Sequence, residues 1–392
     1  MGASDTEAGT VLRSFNRRDA TSVQVRITRS GDVHVPFSLA DAYHGYTREL
    51  WRAASTNVGL PTGVLSLFYR TRALIPRRAQ LTLRRMLIRA QGVPTFPAWP
   101  LDDSVDRLLR LFAECALRAA EREEGEFAWF WPHGHHAAMI LTHDVESDEG
   151  IRLALELADV EEERGFRSSF NFGAWYDVDP GVLADLRARG FEIGSHALTH
   201  DRRLFESRAA FEALLPQLRR RIEELGAVGF RSPATHRVID WMHELPVEYD
   251  CTVPHSDPYE PQPGGCCSVW PYMLGSVVEL PYTLPQDHTL LTLLRRRSAE
   301  VWIGQARAIK ERYGLIQCPS HPDRGYLGDS DKRAIYRDFL DASKDDETIW
   351  RALPREVAAW WRHRGTESDP TGTVRLDDHE GVTFVPPRAQ AL

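Results

Sequence analysis

The chain has few cysteines, almost no lysine and no long apolar run, and these shortages limit the kinds of protein that it can be. Its five cysteines form no Cys-x-x-Cys pair, and an odd count is typical of a reducing compartment. Two free thiols are favoured at the adjacent Cys266 and Cys267 over a strained vicinal disulfide. No stretch approaches the roughly 18 apolar residues of a membrane span, and the N-terminus lacks the apolar stretch of a signal peptide. A cytoplasmic protein is therefore expected.

The charge balance also excludes a class of partner. The net charge is -8, whereas general nucleic-acid binding requires a basic surface, so no nucleic-acid partner is expected. A hydrophobic content of 42% and a charged content of 27% are ordinary for a globular protein. The length of 392 residues predicts two domains, or one large barrel with additions.

Basic residues are concentrated in one segment. Residues 68–89 contain several arginines and no acidic residue, with apolar residues between them. A solvated or inter-domain face is the favoured interpretation, and peripheral contact with anionic lipid or a phosphorylated substrate is the alternative. The arginines are Arg70, Arg72, Arg77, Arg78, Arg84, Arg85 and Arg89.

Strand and helix patterns alternate from about residue 137 onward, which predicts an α/β fold with parallel strands. About seven strands favour a distorted (β/α) barrel over 137–345, with its chemistry at the strand ends. Residues 1–130 form a mainly helical N-terminal extension of unknown role, including a helix over about 103–124. Residues 346–392 form a C-terminal helix, over about 346–364, and a tail. The helix predicted around 207–225 contains Pro216, so we expect a kink or break there.

Two segments at predicted strand ends carry metal-binding residue types. His196 and His200 are four apart, a spacing that places both on one face of a helical turn. The run from Thr142 to Glu146 supplies Asp144 and Glu146, which face the same side of a strand. Imidazoles with a carboxylate are the ligands of an open catalytic site for zinc, iron or cobalt. Together, the segments predict such a site.

The order of the motifs resembles the polysaccharide deacetylase family, carbohydrate esterase family 4. The matching segments are Thr142 to Glu146, His196 to His200, Arg231-Ser232-Pro233, and Ser320 to Asp323. The resemblance covers about residues 137 to 342. It implies a deformed barrel that removes acyl groups from carbohydrates with the help of a divalent metal.

The resemblance implies a metal held by Glu146, His196 and His200. Zinc is the first expectation, with cobalt, iron(II) or nickel as alternatives. Asp144 matches the general base that takes a proton from water, and Arg231 matches the arginine that fixes this base and balances its charge.

The leaving-group side of the reaction is implied in the same way. His321 matches the late histidine that protonates the leaving amine, and Ala234 occupies the position whose backbone N–H binds the oxyanion. An acidic residue usually orients that histidine. Asp287 and Glu279 are the two candidates, and the sequence does not distinguish them.

Three departures from the family pattern bear on the substrate. The acids are separated by Val145 instead of being adjacent, and Asp148 is a lesser candidate ligand beside Glu146. Ala234 replaces the expected aromatic residue. The motif that pairs an acid with a tryptophan has no clean match, although Trp270 is a candidate.

We therefore expect a hydrolase that removes an N-acyl group, first of all acetyl, from an amino sugar or sugar-containing precursor. One alternative is hydrolysis of a non-sugar C–N amide at the same metal site. Another is a catalytically silent barrel that serves as a binding module or scaffold. His143 and His236 lie near the motifs, but we do not expect either to be a metal ligand. The segment 133–136, which contains three histidines, is interpreted as a loop and not as a metal site. The oligomeric state is not predicted.

Overall fold

Strands and helices alternate through most of the chain. The computed structural model describes residues 10–16, 22–28, 31–52, 77–92, 95–366, 369–379 and 381–387. In these residues the strands are β1 (Thr10–Asn16), β2 (Ser22–Ile27), β3 (Val33–His34), β4 (Glu124–Ala128), β5 (Ala137–Val145), β6 (Ser169–Phe172), β7 (Glu192–Ser195), β8 (Gly229–Phe230), β9 (Tyr249–Asp250), β10 (Tyr272–Leu274), β11 (Val277–Glu279), β12 (Leu315–Ser320), β13 (Ile349–Arg351), β14 (Thr371–Asp377) and β15 (Gly381–Val385). The helices are α1 (Leu39–Thr47), α2 (Arg77–Gln91), α3 (Ser104–Ala119), α4 (Asp148–Glu162), α5 (Pro180–Ala188), α6 (Arg208–Leu225), α7 (Ile239–Met242), α8 (Glu300–Lys310), α9 (Ser330–Asp341) and α10 (Pro354–His363).

A curled nine-stranded sheet forms the centre of the fold. Its strand order is β10-β11-β9-β8-β7-β6-β5-β12, and β13 pairs with the first half of β5. All neighbouring strands are parallel except β10 and β11. The sheet is a half-barrel flanked by helices, so the predicted distorted α/β barrel is confirmed.

The core lies between this sheet and its helices. All nine residues of β5 are buried, and α4 buries Ile151, Ala154 and Leu157 at the spacing of one helix face. Full burial of one such leucine contributes about 1.5–3 kcal/mol. All five cysteines are buried free thiols.

Two small antiparallel sheets lie beside the barrel. β4 pairs with β14, which pairs with β15, so the segment before the barrel and the C-terminal tail share one sheet. β1, β2 and β3 form the other sheet, which packs on α3 through Val25, Leu111 and Cys115. Among the described residues, none of the helices combines the length and the apolarity that a membrane span requires.

Several predicted elements differ from the structure. Of the kink or break expected at Pro216, the break does not occur: α6 continues through this exposed proline, and Phe211 and Leu218 on either side of it are buried in the core. The helix predicted over 346–364 begins only at Pro354, since residues 349–351 pair with β5 instead. The helix predicted over 103–124 ends at Ala119, and β4 follows. The predicted arginine-rich segment is described only from residue 77; its residues 68–76 lie outside the described part.

Candidate metal centre

Four strand ends bring the predicted site residues together. Asp144 and Glu146 lie at the end of β5, His196 directly follows β7, and Arg231 directly follows β8. His321 directly follows β12, the other neighbour of β5. Because these strands are parallel, their carboxyl ends meet at one edge of the sheet. Residues far apart in sequence therefore share one cavity.

Glu146, His196 and His200 form a compact donor set. One ligand atom from each side chain lies within 4.8 Å of the other two. Glu146 Oε1 is 2.7 Å from His200 Nε2. The spacing of the two histidines had predicted a shared helical turn, and this is wrong. Ala197 between them has a φ of +64°, and the segment is a loop. Their rings still converge, with centroids 5.8 Å apart.

The protonation states of this set suit a cation. Burial lowers the pKa of His196 to about 4, so its imidazole is neutral at pH 7. Burial opposes ionisation of Glu146, but its hydrogen bond with His200 and the neighbouring histidines hold its pKa well below the usual value. Burial also acts against charged His200, and its contact with Glu146 outweighs this and raises its pKa. A metal would take the place of the proton shared by that pair.

His196 has one ring nitrogen bonded and one without a partner. Its Nδ1 lies 3.0 Å from the backbone oxygen of Arg231, which fixes the ring and assigns the Nδ1–H tautomer. Its Nε2 is buried and has no hydrogen-bond partner among the described residues. A buried acceptor without a partner is costly. Coordination of a metal by this nitrogen would satisfy it.

Asp144 is the buried acid beside the donor set. Its Oδ1 accepts a hydrogen bond of 2.8 Å from Asn171 Nδ2, and Arg231 Nε lies 3.4 Å away. Burial favours the neutral acid, but the charges of His196, Arg231 and His321 outweigh it and lower the pKa of Asp144. This carboxylate is therefore ionised near neutrality. Its contacts within the described residues are made by Oδ1, which leaves Oδ2 for the cavity.

Arg231 is almost completely buried behind this acid. Its Nη2 donates to Thr142 Oγ1 at 2.7 Å, so two neighbouring motifs are joined directly. Burial opposes its charge, but Asp144 and other neighbouring acids outweigh this and raise its pKa. The guanidinium remains charged and stabilises ionised Asp144.

His321 lies beside Glu146 and forms an ion pair with Asp287. His321 Nε2 is 3.6 Å from Glu146 Oε1, and its Nδ1 is 2.7 Å from Asp287 Oδ1. Asp287 also accepts the His321 backbone N–H at 3.0 Å. Burial disfavours the imidazolium, but the charge and hydrogen bond of Asp287 outweigh it and raise the pKa of His321 to about 10.

Glu279, the other candidate partner of His321, lies elsewhere. It is buried on β11, where its Oε1 accepts the Val253 N–H at 3.0 Å. Of the two acids, the structure brings only Asp287 to His321.

Ala234 occupies an unusual backbone conformation in the cavity wall. It lies in the short 3-10 turn Pro233–Thr235, with a φ of +49° and a ψ of +27°. The N–H groups of Thr235 and His236 donate back to Ser232 and Pro233 within this turn. Within the described part of the chain, the Ala234 N–H has no protein acceptor. It remains available to a bound ligand.

The structure adds two residues to which the sequence assigned no role. Trp175, in the loop after β6, donates from Nε1 to the Glu146 backbone oxygen at 3.2 Å. Its ring packs edge-on against His196 and His200. Asp323 accepts the Glu146 N–H at 3.0 Å and also binds the Ser147 hydroxyl. The signal for Trp175 was its position just after a strand at the same sheet edge.

Other residues singled out from the sequence do not line the cavity. Asp148 is exposed at the start of α4 and lies outside the donor set. His143 is buried between Ser320 and Glu161, because it points to the opposite side of β5 from Asp144. Trp270 is buried and stacks on Phe130, away from the site. His236 is outside the cavity lining as well.

The site opens into a cavity of about 400 Å³. One wall comes from the barrel and another from α2, so the arginine-rich helix is neither simply solvated nor remote from the chemistry. Its wall residues are Gln80, Leu81 and Arg84, and facing polar or aromatic residues are Glu260, Gln286 and Tyr326.

Comparison with solved structures identifies polysaccharide deacetylases and carbohydrate esterases of family 4 as similar in fold. One is described as a polysaccharide deacetylase from Mycobacterium smegmatis, with 19% identity, 60% of this chain and 93% of that chain covered, and a TM-score of 0.49. Another is the Puue allantoinase, with 16% identity, 60% and 93% coverage, and a TM-score of 0.47. A chitin deacetylase from the fungal pathogen Colletotrichum lindemuthianum has 17% identity, 59% and 89% coverage, and a TM-score of 0.36. No family profile matches the sequence, and no curated protein matches it either.

Proposed function

We propose that the chain is a metal-dependent hydrolase that removes an N-acyl group, first of all acetyl, from an amino sugar or a sugar-containing precursor. The observation that carries this proposal is the donor set of Glu146, His196 and His200 with two different proton-transfer groups beside it. Ionised Asp144 lies next to His196, and protonated His321 lies next to Glu146. An amide hydrolase needs both a base and an acid at one centre.

Glu146, His196 and His200 would hold the divalent metal. The buried Nε2 of His196 has no protein partner, the imidazole is neutral, and Glu146 is ionised, so the donors have the protonation states that coordination requires. Zinc is the first candidate, since imidazole and carboxylate donors leaving positions open are typical of its catalytic sites. When bound, such a metal acts as a Lewis acid toward water and the acyl carbonyl.

Asp144 would accept the proton of the attacking water. Asn171 and Arg231 both contact its Oδ1, so its orientation is fixed and Oδ2 is the oxygen that receives the proton. Arg231 keeps this acid ionised before the reaction and has a fixed planar shape that a lysine lacks.

His321 would act on the leaving amine, and Ala234 on the oxyanion that develops in the tetrahedral intermediate. His321 carries a proton at neutral pH and would donate it from Nε2 to the leaving amine nitrogen, while Asp287 holds Nδ1. The free N–H of Ala234 would donate to the oxyanion of the tetrahedral intermediate. Loss of one such donor typically costs about 2.7–4 kcal/mol of transition-state stabilisation.

The cavity supports a substrate of the size and polarity of a sugar. Its volume of about 400 Å³ falls in the range of small-molecule sites. Thr235, Glu260 and Gln286 offer hydroxyl, carboxyl and amide groups to sugar hydroxyls, and Tyr326, which packs against His321, is the aromatic residue of the lining.

The test measures metal content and acetate release together. Purified protein loaded with zinc should contain one metal ion per chain and release acetate from at least one member of a panel of N-acetylated amino sugars. The double variant His196→Ala plus His200→Ala should lose both the metal and the turnover. His243→Ala is the matched control, because this histidine is exposed and lies outside the cavity lining. Turnover that survives loss of both ligands would overturn the proposal.

A second candidate function uses the same residues on a different amide. Ala234 leaves one wall of the cavity without the large aromatic group expected for a sugar groove. A ureide, a formamide or another non-sugar C–N bond is therefore the alternative substrate. Adding these compounds to the panel distinguishes the two, and stoichiometric metal with saturable hydrolysis of any amide would exclude a catalytically silent scaffold.

A further inference from the structure

Two elements at the edge of the cavity bring four arginines together. Arg85 and Arg89 come from α2, and Arg295 and Arg296 come from the segment after the π-helical turn His288–Leu293. We call these four residues the arginine cluster. Arg85 Nη2 and Nε donate to the backbone oxygen of Thr292 at 2.9 and 3.2 Å, which fixes α2 against this turn.

The charges of the cluster act on one another and on the cavity wall. Burial, together with the neighbouring positive charges of Arg295 and Arg89, lowers the pKa of Arg85. Arg296 lies close enough to Tyr259 to influence its hydroxyl, and the Tyr259 backbone oxygen accepts a hydrogen bond from Arg84 in the cavity wall. Arg296 of the cluster and Arg84 of the cavity wall therefore both lie beside Tyr259, although the four cluster arginines are not themselves part of the cavity lining.

No acidic side chain neutralises this group of charges within the described ranges. None of the four arginines has an ion-pair partner there, whereas Arg189 and Arg208 each contact two or more carboxylates elsewhere on the surface. The chain as a whole is acidic, with a net charge of -8. Like charges repel, so an unneutralised cluster beside a cavity is typical of a site that an anion completes.

We propose that the arginine cluster binds a phosphate group of the substrate while the acylated sugar occupies the cavity. This inference rests on the proposed function and narrows it to N-acylated sugars that carry a phosphate or diphosphate. The guanidinium group is suited to this role, because its planar fork forms paired hydrogen bonds with phosphate oxygens. Arg85 is held by Thr292, whereas Arg89, Arg295 and Arg296 are exposed and able to turn toward a ligand.

The phosphate has two possible sources, a soluble sugar phosphate and the headgroup of a lipid-linked sugar. Leu83 and Met86, also on α2, are 39% and 61% exposed, so the helix presents apolar side chains beside the arginines. A lipid-linked phosphate would contact both kinds of group. The shared chemistry is phosphate recognition, and separate arms of the experiment distinguish its sources.

The first arm measures binding of uridine diphosphate N-acetylglucosamine and of free N-acetylglucosamine to the zinc-loaded full chain by calorimetry at low ionic strength. We expect the phosphorylated sugar to bind at least tenfold more tightly than the free sugar. Arg89→Ala plus Arg296→Ala should abolish this difference and leave free-sugar binding unchanged. Arg85 is not substituted, because it also holds α2 in place.

The second arm uses vesicles of phosphatidylglycerol, with phosphatidylcholine vesicles for comparison. The protein should cosediment with the anionic vesicles but not with the phosphatidylcholine vesicles, and the same double variant should lose this binding. That result would support the cluster as a phosphate site and assign the phosphate to a lipid. Arg219→Ala plus Arg220→Ala is the matched control in both arms, because these arginines are exposed on α6 and do not line the cavity. Charge-preserving Arg89→Lys plus Arg296→Lys should keep at least part of the binding.

The inference fails if the protein binds neither the sugar diphosphate nor the anionic vesicles more tightly than their uncharged counterparts. It also fails if the cluster variant binds as tightly as the control variant. Acetate release from uridine diphosphate N-acetylglucosamine, from free N-acetylglucosamine and from the other N-acetylated sugars of the panel, measured on the same samples, tests the proposed function separately. Release without phosphate binding would overturn only the inference, whereas phosphate binding without release from any sugar would overturn the proposed function.

Discussion

The side chains of Arg237 and Glu49 form a paired ion bridge across 188 positions of sequence. Arg237 Nε and Nη2 donate to the two carboxylate oxygens of Glu49 at 2.8 and 2.6 Å, and both side chains are buried. Arg237 Nη1 also donates to the Thr235 backbone oxygen at 2.9 Å. The N-terminal segment therefore supports the turn that contains Ala234, so the extension and the candidate site are physically connected.

We expect Glu49→Ala to destabilise the protein by about 3–5 kcal/mol, because it leaves the Arg237 charge buried and unpaired. Urea unfolding of the variant and the parent measures the difference. The matched control is Glu124→Ala, which breaks the exposed pair with Arg375 between β4 and β14 and should cost about 0–1 kcal/mol. Equal losses in the two variants would contradict a structural role for the buried pair.

The fold was predictable where local patterns repeat, and less so where distant segments meet. Alternating strands and helices with apolar strands such as β5 are visible in sequence, and they predicted the barrel. The contact of Glu49 with Arg237 could not be predicted from the sequence, because nothing local to either residue indicates its partner. At Pro216 the helix does not break, since packing of Phe211 and Leu218 outweighs the lost hydrogen bond. The segment Ile349-Trp350-Arg351 fits a helix or a strand, and its pairing with β5 makes it a strand.

Glu192 should make the stability of the protein depend on pH. It is buried in β7, where its carboxyl contacts Tyr249 Oη at 2.8 Å and the Arg355 N–H at 3.1 Å. Burial raises its pKa from 4.5 to about 7, so between these values the folded state binds more protons than the unfolded state. Its contribution to stability is therefore greatest below about pH 4.5 and is lost as pH rises to about 7.

We expect Glu192→Gln to remove this dependence, because an amide has the shape and hydrogen bonds of the neutral acid. Relative to the parent, the variant should gain on the order of 3 kcal/mol between pH 4.5 and 7, which corresponds to the rise in pKa. Urea unfolding at four pH values measures the slope. Glu223→Gln, at an exposed position of α6, should keep the slope of the parent, and an unchanged slope in Glu192→Gln would refute the assignment.

Asp287→Asn should shift the alkaline side of the activity profile. The negative charge of Asp287 stabilises protonated His321, so a neutral amide lowers the histidine pKa from about 10, by about one to three pH units. Less His321 then carries the proton for the leaving amine at pH 8 to 9. The pH profile of kcat/KM should accordingly fall at lower pH than in the parent.

Glu279→Gln is the control for this shift. Glu279 is also a buried acid that family resemblance made a candidate, but it contacts Val253 and not His321. Its variant should keep the alkaline limb of the parent, whatever its effect on stability. A shift of equal size in both variants would show that the limb reports general destabilisation and not the His321–Asp287 pair.

The candidate site was predictable in its charged residues because motifs preserve their order and spacing. Asp144, Glu146, His196, His200, Arg231 and His321 were all named from sequence, and the structure brings them to one sheet edge. Trp175 was missed because an aromatic residue after a strand is more often part of a core than of a site. Only the three-dimensional contact with Glu146 distinguishes these two roles.

Trp175→Phe should weaken metal binding without unfolding the protein. The substitution keeps an aromatic ring against His196 and His200 but removes the N–H that donates to the Glu146 backbone oxygen. Loss of a group that orients a ligand typically lowers metal affinity about 10- to 100-fold, which competition with a colorimetric zinc chelator measures. Trp241→Phe, whose ring packs on Phe211 outside the cavity, should bind zinc as the parent does. Because both substitutions remove an indole, an equal change in the two would mean that the Trp175–Glu146 hydrogen bond does not position the ligand.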